Sequence, residues 1–227
     1  MRAASSSESP AVYRAQMIIS GLRAGPHLER MALFDVNTGL RSSELRGLRW
    51  SWEVEVEVPE LETSVFILPE EMTKNGEERI VVLNRIARSV LESQRGKHES
   101  FVFTYGGHPL QRINHHAWRR ARRRADLLQV RVHDLRHTFG HRLRAGGVSF
   151  EDRQDLLGHR SGRITTHYSA PDISRLLAAA NSICEPQQMT VLRIVRPAVE
   201  KLPEKIRQNS GSDASGKKQG PGTMTLS

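Results

Sequence analysis

His133-Asp134-Leu135-Arg136-His137-Thr138-Phe139 decides how this chain is read, together with Leu157-Gly158-His159 and Tyr168, nine residues after that last histidine. If the first stretch opens a helix, His133 and Arg136 are three apart and project from one side of it. A helix N-terminus favours an anion there. A second arginine sits far upstream, in Thr38-Gly39-Leu40-Arg41-Ser42-Ser43-Glu44-Leu45. Planar guanidinium groups match the paired oxygens of a phosphodiester. Imidazoles titrate near neutral pH and can move a proton or donate a hydrogen bond. A phenol can attack phosphorus, and nearby cations ease its ionisation. Two arginines, two histidines and a late tyrosine are the groups that phosphoryl transfer onto tyrosine requires.

The bulk composition agrees with such a partner. The chain has 227 residues and a formal net charge of +9, with a pI of about 10.4. That balance favours a polyanion through counterion release. The charge is also concentrated: Arg119, Arg120, Arg122, Arg123 and Arg124 crowd one expected helix, unbroken by an acid until Asp126. They are expected to contact phosphates; the other reading is a solvated helical face. No apolar run approaches a membrane span, and the first ten residues contain no apolar signal core. A soluble cytoplasmic protein without a membrane partner is expected. The single cysteine, Cys184, rules out an internal disulfide and a Cys-rich zinc site. His133, His137 and His141 are spaced four apart, as ligands on one helical face would be, but no H-E-x-x-H glutamate accompanies them. No metal and no cofactor is expected.

The periodicities predict an α+β fold, mostly helical with a small three-stranded antiparallel sheet. Residues 1–20 are Ser-rich and expected to be disordered or partly ordered. Leu28, Met31, Ala32 and Phe34 predict a helix from Pro26 to Thr38, ended by Gly39. Ser42 or Ser43 is expected to cap a second helix that includes Glu44, Leu45 and Leu48. Glu53 to Val58 alternates charged and apolar residues and reads as a half-buried strand. Ser64 to Leu68 and Arg79 to Leu83 follow as strands, with Lys74 at the tip of the last hairpin beside Asn75-Gly76. Helices are expected over Arg85–Gln94 with Asn84 as N-cap, Gln111–Ala125, Asp134–Ala145, a segment capped by Ser149 and ending at Gly158, and a last segment capped by Asp172. The last carries an apolar stripe of Ile173, Leu176, Leu177, Ala180 and Ile183. Trp118 reads as core rather than as a platform for stacked bases. A largely disordered tail is expected over residues 186–227.

Four blocks, in order along the chain, resemble the tyrosine recombinases, or phage-type integrases. They are T-G-L-R-S-S-E-L with Arg41, T-K-N-G-E-E-R-I-V-V-L with Lys74, H-D-L-R-H-T-F, and L-G-H-R-S-G-R-I-T-T-H-Y with His159 and Tyr168. Val82 stands where the family often has proline. The resemblance implies a catalytic domain over residues 21–185. The separate N-terminal domain that clamps DNA in the family is expected to be absent, since only about forty residues precede Arg41. It implies cleavage and rejoining of duplex DNA through a 3′-phosphotyrosine, as in the site-specific recombination of phages and other mobile elements. Arg41 and Arg136 would bind the phosphate, His133 and His159 assist, Lys74 protonate the departing 5′ oxygen, and Tyr168 attack. Glu44 would orient the cluster or serve as an ordinary helix carboxylate. His137 and Arg163 would sit near the phosphate. Residues 172–183 would either dock into a neighbouring subunit of a DNA-bound homotetramer or pack on their own domain, with a monomer in free solution. Two other functions fit the same residues: a type IB topoisomerase-like relaxation of DNA, and a truncated relative that binds DNA without cutting it.

Overall fold

The computed structural model describes residues 17, 19–21, 26–58, 61–113, 115–159 and 170–184. Arg163, Tyr168, most of segment 1–20 and all of segment 186–227 lie outside the described residues.

Helix α1 spans Pro26–Thr38 and buries Leu28, Met31, Ala32 and Phe34, one apolar face at helical spacing. Gly39 ends it with φ +61°, and its N–H donates to the Asp35 carbonyl (2.7 Å). Helix α2 is one turn, Ser42–Arg46, and its cap is Arg41 rather than a serine. The Arg41 N–H donates to Glu44 Oε2 (2.8 Å), so a carboxylate inside the turn satisfies that backbone donor. Leu48 lies beyond the helix, after Gly47.

Strands β1 (Glu53–Val58), β2 (Leu61–Leu68) and β3 (Arg79–Val82) form an antiparallel sheet in sequence order. The register sets Val54 against Val65 and Val65 against Val82. Strand β2 begins three residues earlier than expected and β3 ends one earlier. Asn84 caps α3 (Arg85–Glu92) by accepting the Ala87 N–H (2.9 Å). A second hairpin, β4 (Thr104–Tyr105) and β5 (His108–Pro109), turns on Gly106 and Gly107, both at positive φ. Helices α4 (His115–Arg124), α5 (His133–Ala145), α6 (Phe150–Leu157) and α7 (Ala170–Asn181) complete the described chain.

The alternation of β2 divides the core. Phe66 and Leu68 join a cluster with α1, α3, Trp118 and Leu135. Val65 faces the other way, into a cluster with Val82, Phe139, Leu143, Leu156 and the apolar stripe of α7. Residues 172–183, expected also as a subunit contact, are therefore packed on their own domain: Ile173, Leu176, Leu177, Ala180 and Ile183 are all buried there. Asp172 lies in the first turn of α7 rather than at its cap, because the helix starts at Ala170. Among the described residues, no helix is long and apolar enough to cross a membrane.

Gly39 sits where α1 meets α5. A Cβ added there would lie 2.5 Å from Cδ1 of Phe139. Gly39→Ala combines that overlap with a left-handed backbone angle and is expected to destabilise the fold by about 2–4 kcal/mol in urea denaturation.

Candidate active site

The site grows from two helix ends. Helix α6 ends at Gly158, whose φ of +58° and ψ of +46° are left-handed. The last four carbonyls of a helix have no partners within it and carry partial negative charge. Three guanidinium groups take successive carbonyls in this stretch. Arg79 Nη2 donates to Leu156 (2.9 Å), Arg136 Nη2 to Leu157 (2.5 Å) and Arg41 Nη2 to Gly158 (3.2 Å). The end of α1 contributes a further acceptor. The Gly39 carbonyl receives Arg136 Nη1 and, at 3.4 Å, Arg79 Nη2. Gly158 also has a steric reason to be glycine: an added Cβ would sit 2.4 Å from Cδ and Nε of Arg79.

Glu44 lies behind this layer with no exposed surface. Its Oε1 accepts Arg41 Nη1 (2.6 Å) and its Oε2 accepts Arg79 Nη1 (2.5 Å). Burial pushes the Glu44 carboxyl up, but Arg79 and Arg41 more than offset this and hold it below its ordinary value. Asp35, also buried, goes the other way. Desolvation raises its carboxyl well above the ordinary value despite the pull of Arg136, and its Oδ1 has no hydrogen-bond partner among the described residues.

Arg136 is 5% exposed. Burial, then repulsion from Arg79 and Arg41, pulls its guanidinium down to about 9. An anion placed here would relieve that repulsion. In front of it opens a cavity of about 490 Å³. Arg41, Lys74, His133, Arg136, His137 and His159 all line it. Lys74 reaches it from the turn between β2 and β3, and His133 and His137 from the first two turns of α5. The rings of His133 and His137 meet edge to face with centroids 4.7 Å apart. His159 follows Gly158, its N–H held by the Gln154 carbonyl (2.9 Å). Burial is the main cause that lowers both His133 and His159 below 6.5, with His137 and Arg136 next for His133, and Arg136 and Arg41 next for His159. In both, the surroundings favour the neutral imidazole over the charged one.

Several residues of the site carry no assigned role in the sequence motifs. Arg79 was read only as the first residue of a strand, yet it is 5% exposed and is the second guanidinium on Glu44. His141, Arg144, Arg153 and Gln154 also line the cavity. His141, singled out in the sequence only for its metal-like spacing from His137, and Arg144, three residues further on, share the face that lines the cavity. The α4 arginines do not line this cavity. Arg119, Arg120, Arg123 and Arg124 are exposed. Arg122 turns inward, with Nη1 on the Val130 carbonyl (3.0 Å), beside Trp118, whose Nε1 bonds the same oxygen (3.2 Å). Among the described residues, no group of three or more His, Cys, Asp or Glu is placed to hold a metal ion.

The described chain is thus an α+β domain with a buried arginine layer facing a basic basin of about 490 Å³. The phage integrase family matches residues 19–175, and the chain belongs to it. It is 30% identical over 155 residues to the integrase of Salmonella phage P22, covering 63% of this chain and 38% of the phage protein. It is 32% identical over 135 residues to the shufflon-specific DNA recombinase of Escherichia coli, covering 59% and 32%. The tyrosine recombinase XerC of Bifidobacterium longum matches at 33% over 95 residues, covering 42% and 26%. The chain spans about a third of the length of these curated relatives. The crystal structure of XerA recombinase shares the fold, with a TM-score of 0.50 and 19% identity over 78% of this chain and 61% of that one.

Glu44→Gln leaves two guanidinium groups short of a counter-charge and is expected to cost about 3–5 kcal/mol at pH 7, read by denaturant melts. The sign with pH follows from the lowered carboxyl. Its contribution is present above the unfolded value, near 4.5, and is lost as pH falls through the folded value. The difference between the two proteins is therefore expected to shrink below pH 4.5.

Proposed function

We propose that this chain cleaves and rejoins duplex DNA as a site-specific tyrosine recombinase of a phage or other mobile element, with residues 21–185 as its catalytic domain. The observation that carries this reading is the convergence of Arg41, Arg136, His133, His159 and Lys74 on one basin. In this scheme Arg41 and Arg136 bind the two non-bridging oxygens of one phosphodiester. His159 donates its N–H to one of them. The Tyr168 oxygen attacks phosphorus, and His133 takes the phenol proton. The P–O5′ bond breaks, and Lys74 gives its proton to the departing oxygen. The product is a 3′-phosphotyrosine and a free 5′ hydroxyl. A 5′ hydroxyl from a partner strand then reverses each transfer and frees the tyrosine. Bond energy stays in the phosphotyrosine link, so the scheme draws on neither nucleotide hydrolysis nor a cofactor. His137 and Arg163 flank the phosphate, and the exposed arginines of α4 hold the DNA backbone.

The integrase and shufflon recombinase relatives support this reading by name, as does the XerC match. The partner is double-stranded DNA, and the chain acts in the cytoplasm on the nucleoid. It is a single chain in free solution, consistent with α7 packed on its own sheet. Assembly into a homotetramer on DNA through residues 172–183 would exchange that packing for the same packing on a neighbouring chain.

A duplex nicked just beyond its cleavage point traps the intermediate, because the short strand diffuses away. The unchanged chain is expected to become covalently attached at the 3′ end, visible as a shifted band on a denaturing gel. Tyr168→Phe is expected to form none while still retarding DNA. Arg136→Ala is expected to slow attachment by about 100- to 1,000-fold. Retardation by the unchanged chain without attachment would favour a binding module, and site-independent relaxation of supercoils a topoisomerase.

A base must be neutral to accept a proton, and burial favours the neutral form of His133, lowering it from its ordinary value of 6.5. The attachment rate at subsaturating DNA is expected to fall towards acid with a midpoint below 6.5. His133→Gln is expected to be slower and to lose the acid limb. An acid limb centred above 6.5 would overturn the assignment.

A further inference from the structure

One strand of duplex DNA carries a phosphate about every 3.4 Å along the axis, and the scheme above uses only one. A second cavity of about 380 Å³ adjoins the first. His133 lines both, and Ser42, the chain neighbour of Arg41, lines the second. Four more guanidinium groups line it, from Arg46, Arg112, Arg122 and Arg131, and no carboxylate is among its described lining residues. Two of the four are fixed by main-chain oxygens. Arg46 donates to the carbonyls of Ser42 (3.1 Å) and Gln111, and Arg122 to that of Val130. The Nε of Arg122 has no acceptor among the described residues. Arg112 is exposed. The Arg131 side chain is 72% exposed and makes a long contact to Asp134 (3.4 Å), whose carboxylate also accepts the Arg131 backbone N–H (2.8 Å).

We infer that this cavity binds a second phosphodiester on the same strand, next to the one under attack, with Arg112 and Arg131 closing on it from solvent and Arg46 and Arg122 forming its fixed wall. The inference rests on the DNA-cleavage reading above. It adds a binding site that shares His133, but not Arg136, with the first cavity. A strand held at two adjacent phosphates cannot swivel about the first, so the site also sets the line along which the 5′ oxygen departs. The carbonyl-anchored arginines are positioned before DNA arrives, while the exposed pair loses side-chain freedom only on binding.

The test measures binding of a short duplex of arbitrary sequence by fluorescence anisotropy over a KCl series. The slope of log affinity against log salt counts phosphate contacts, at about 0.9 each. Arg112→Gln/Arg131→Gln is expected to reduce the slope by about 0.9 and to weaken binding several-fold at fixed salt. Both side chains are exposed, so the substitutions leave the fold intact. Arg49→Gln/Arg95→Gln removes two charges beside Trp50, Trp52 and Phe101, outside both cavities, and is expected to leave the slope unchanged. An unaltered slope in the first variant, or an equal fall in both, would overturn the inference while leaving the cleavage scheme standing. Failure of the unchanged chain to bind duplex at all would overturn both.

Discussion

Five hydrogen bonds from Arg41, Arg79 and Arg136 to carbonyls at the ends of α1 and α6 hold the centre of this protein in place. The physical problem they solve is to fix several buried cations without neutralising them. A carboxylate on each arginine would orient it and cancel its field. A helix C-terminus orients it with partial charges only. Among the described residues, Glu44 is the one acid bonded into the layer, and it is shared between Arg41 and Arg79. Asp35, also buried, is driven towards its neutral form by desolvation. The layer therefore keeps an excess of positive charge facing the basin, which an arriving phosphate can complete.

Packing keeps those helix ends in register. Phe139 of α5 lies directly beneath Gly39, and Leu157 packs against the same apolar cluster. Because α5 also carries His133 and Arg136, one helix sets both the floor of the site and its imidazoles. The sheet separates two apolar clusters through the alternation of β2, and α7 closes the second of them.

Much of this was readable from residue order. The arginine, histidine and lysine blocks carry their own punctuation: Gly39 and Gly158 end helices, and Asn84 and Ser149 begin them. What escaped notice depended on the third dimension. Arg79 opens an apolar strand, where a charged residue usually marks a solvent edge; only the approach of Gly158 shows that it is buried. Arg122 was grouped with its arginine neighbours because the run looked uniform. Its spacing of four from Trp118 put it on the inward face, where both bond to Val130. The serines after Arg41 looked like caps by residue type, but the Glu44 carboxylate already occupied that role. The two-residue strands β4 and β5 are too short to leave a period.

The anchoring of arginines by backbone has a consequence for how such a chain tolerates change in length. Successive residues of a helix are rotated by about 100°. Helix α6 is eight residues long, and its final oxygens must point at guanidinium groups from three other segments. Inserting or deleting a single residue within it would swing every one of those oxygens to a different azimuth. Side-chain substitutions on its outer surface leave that alignment untouched, so drift there is free in composition while the segment is closed in length.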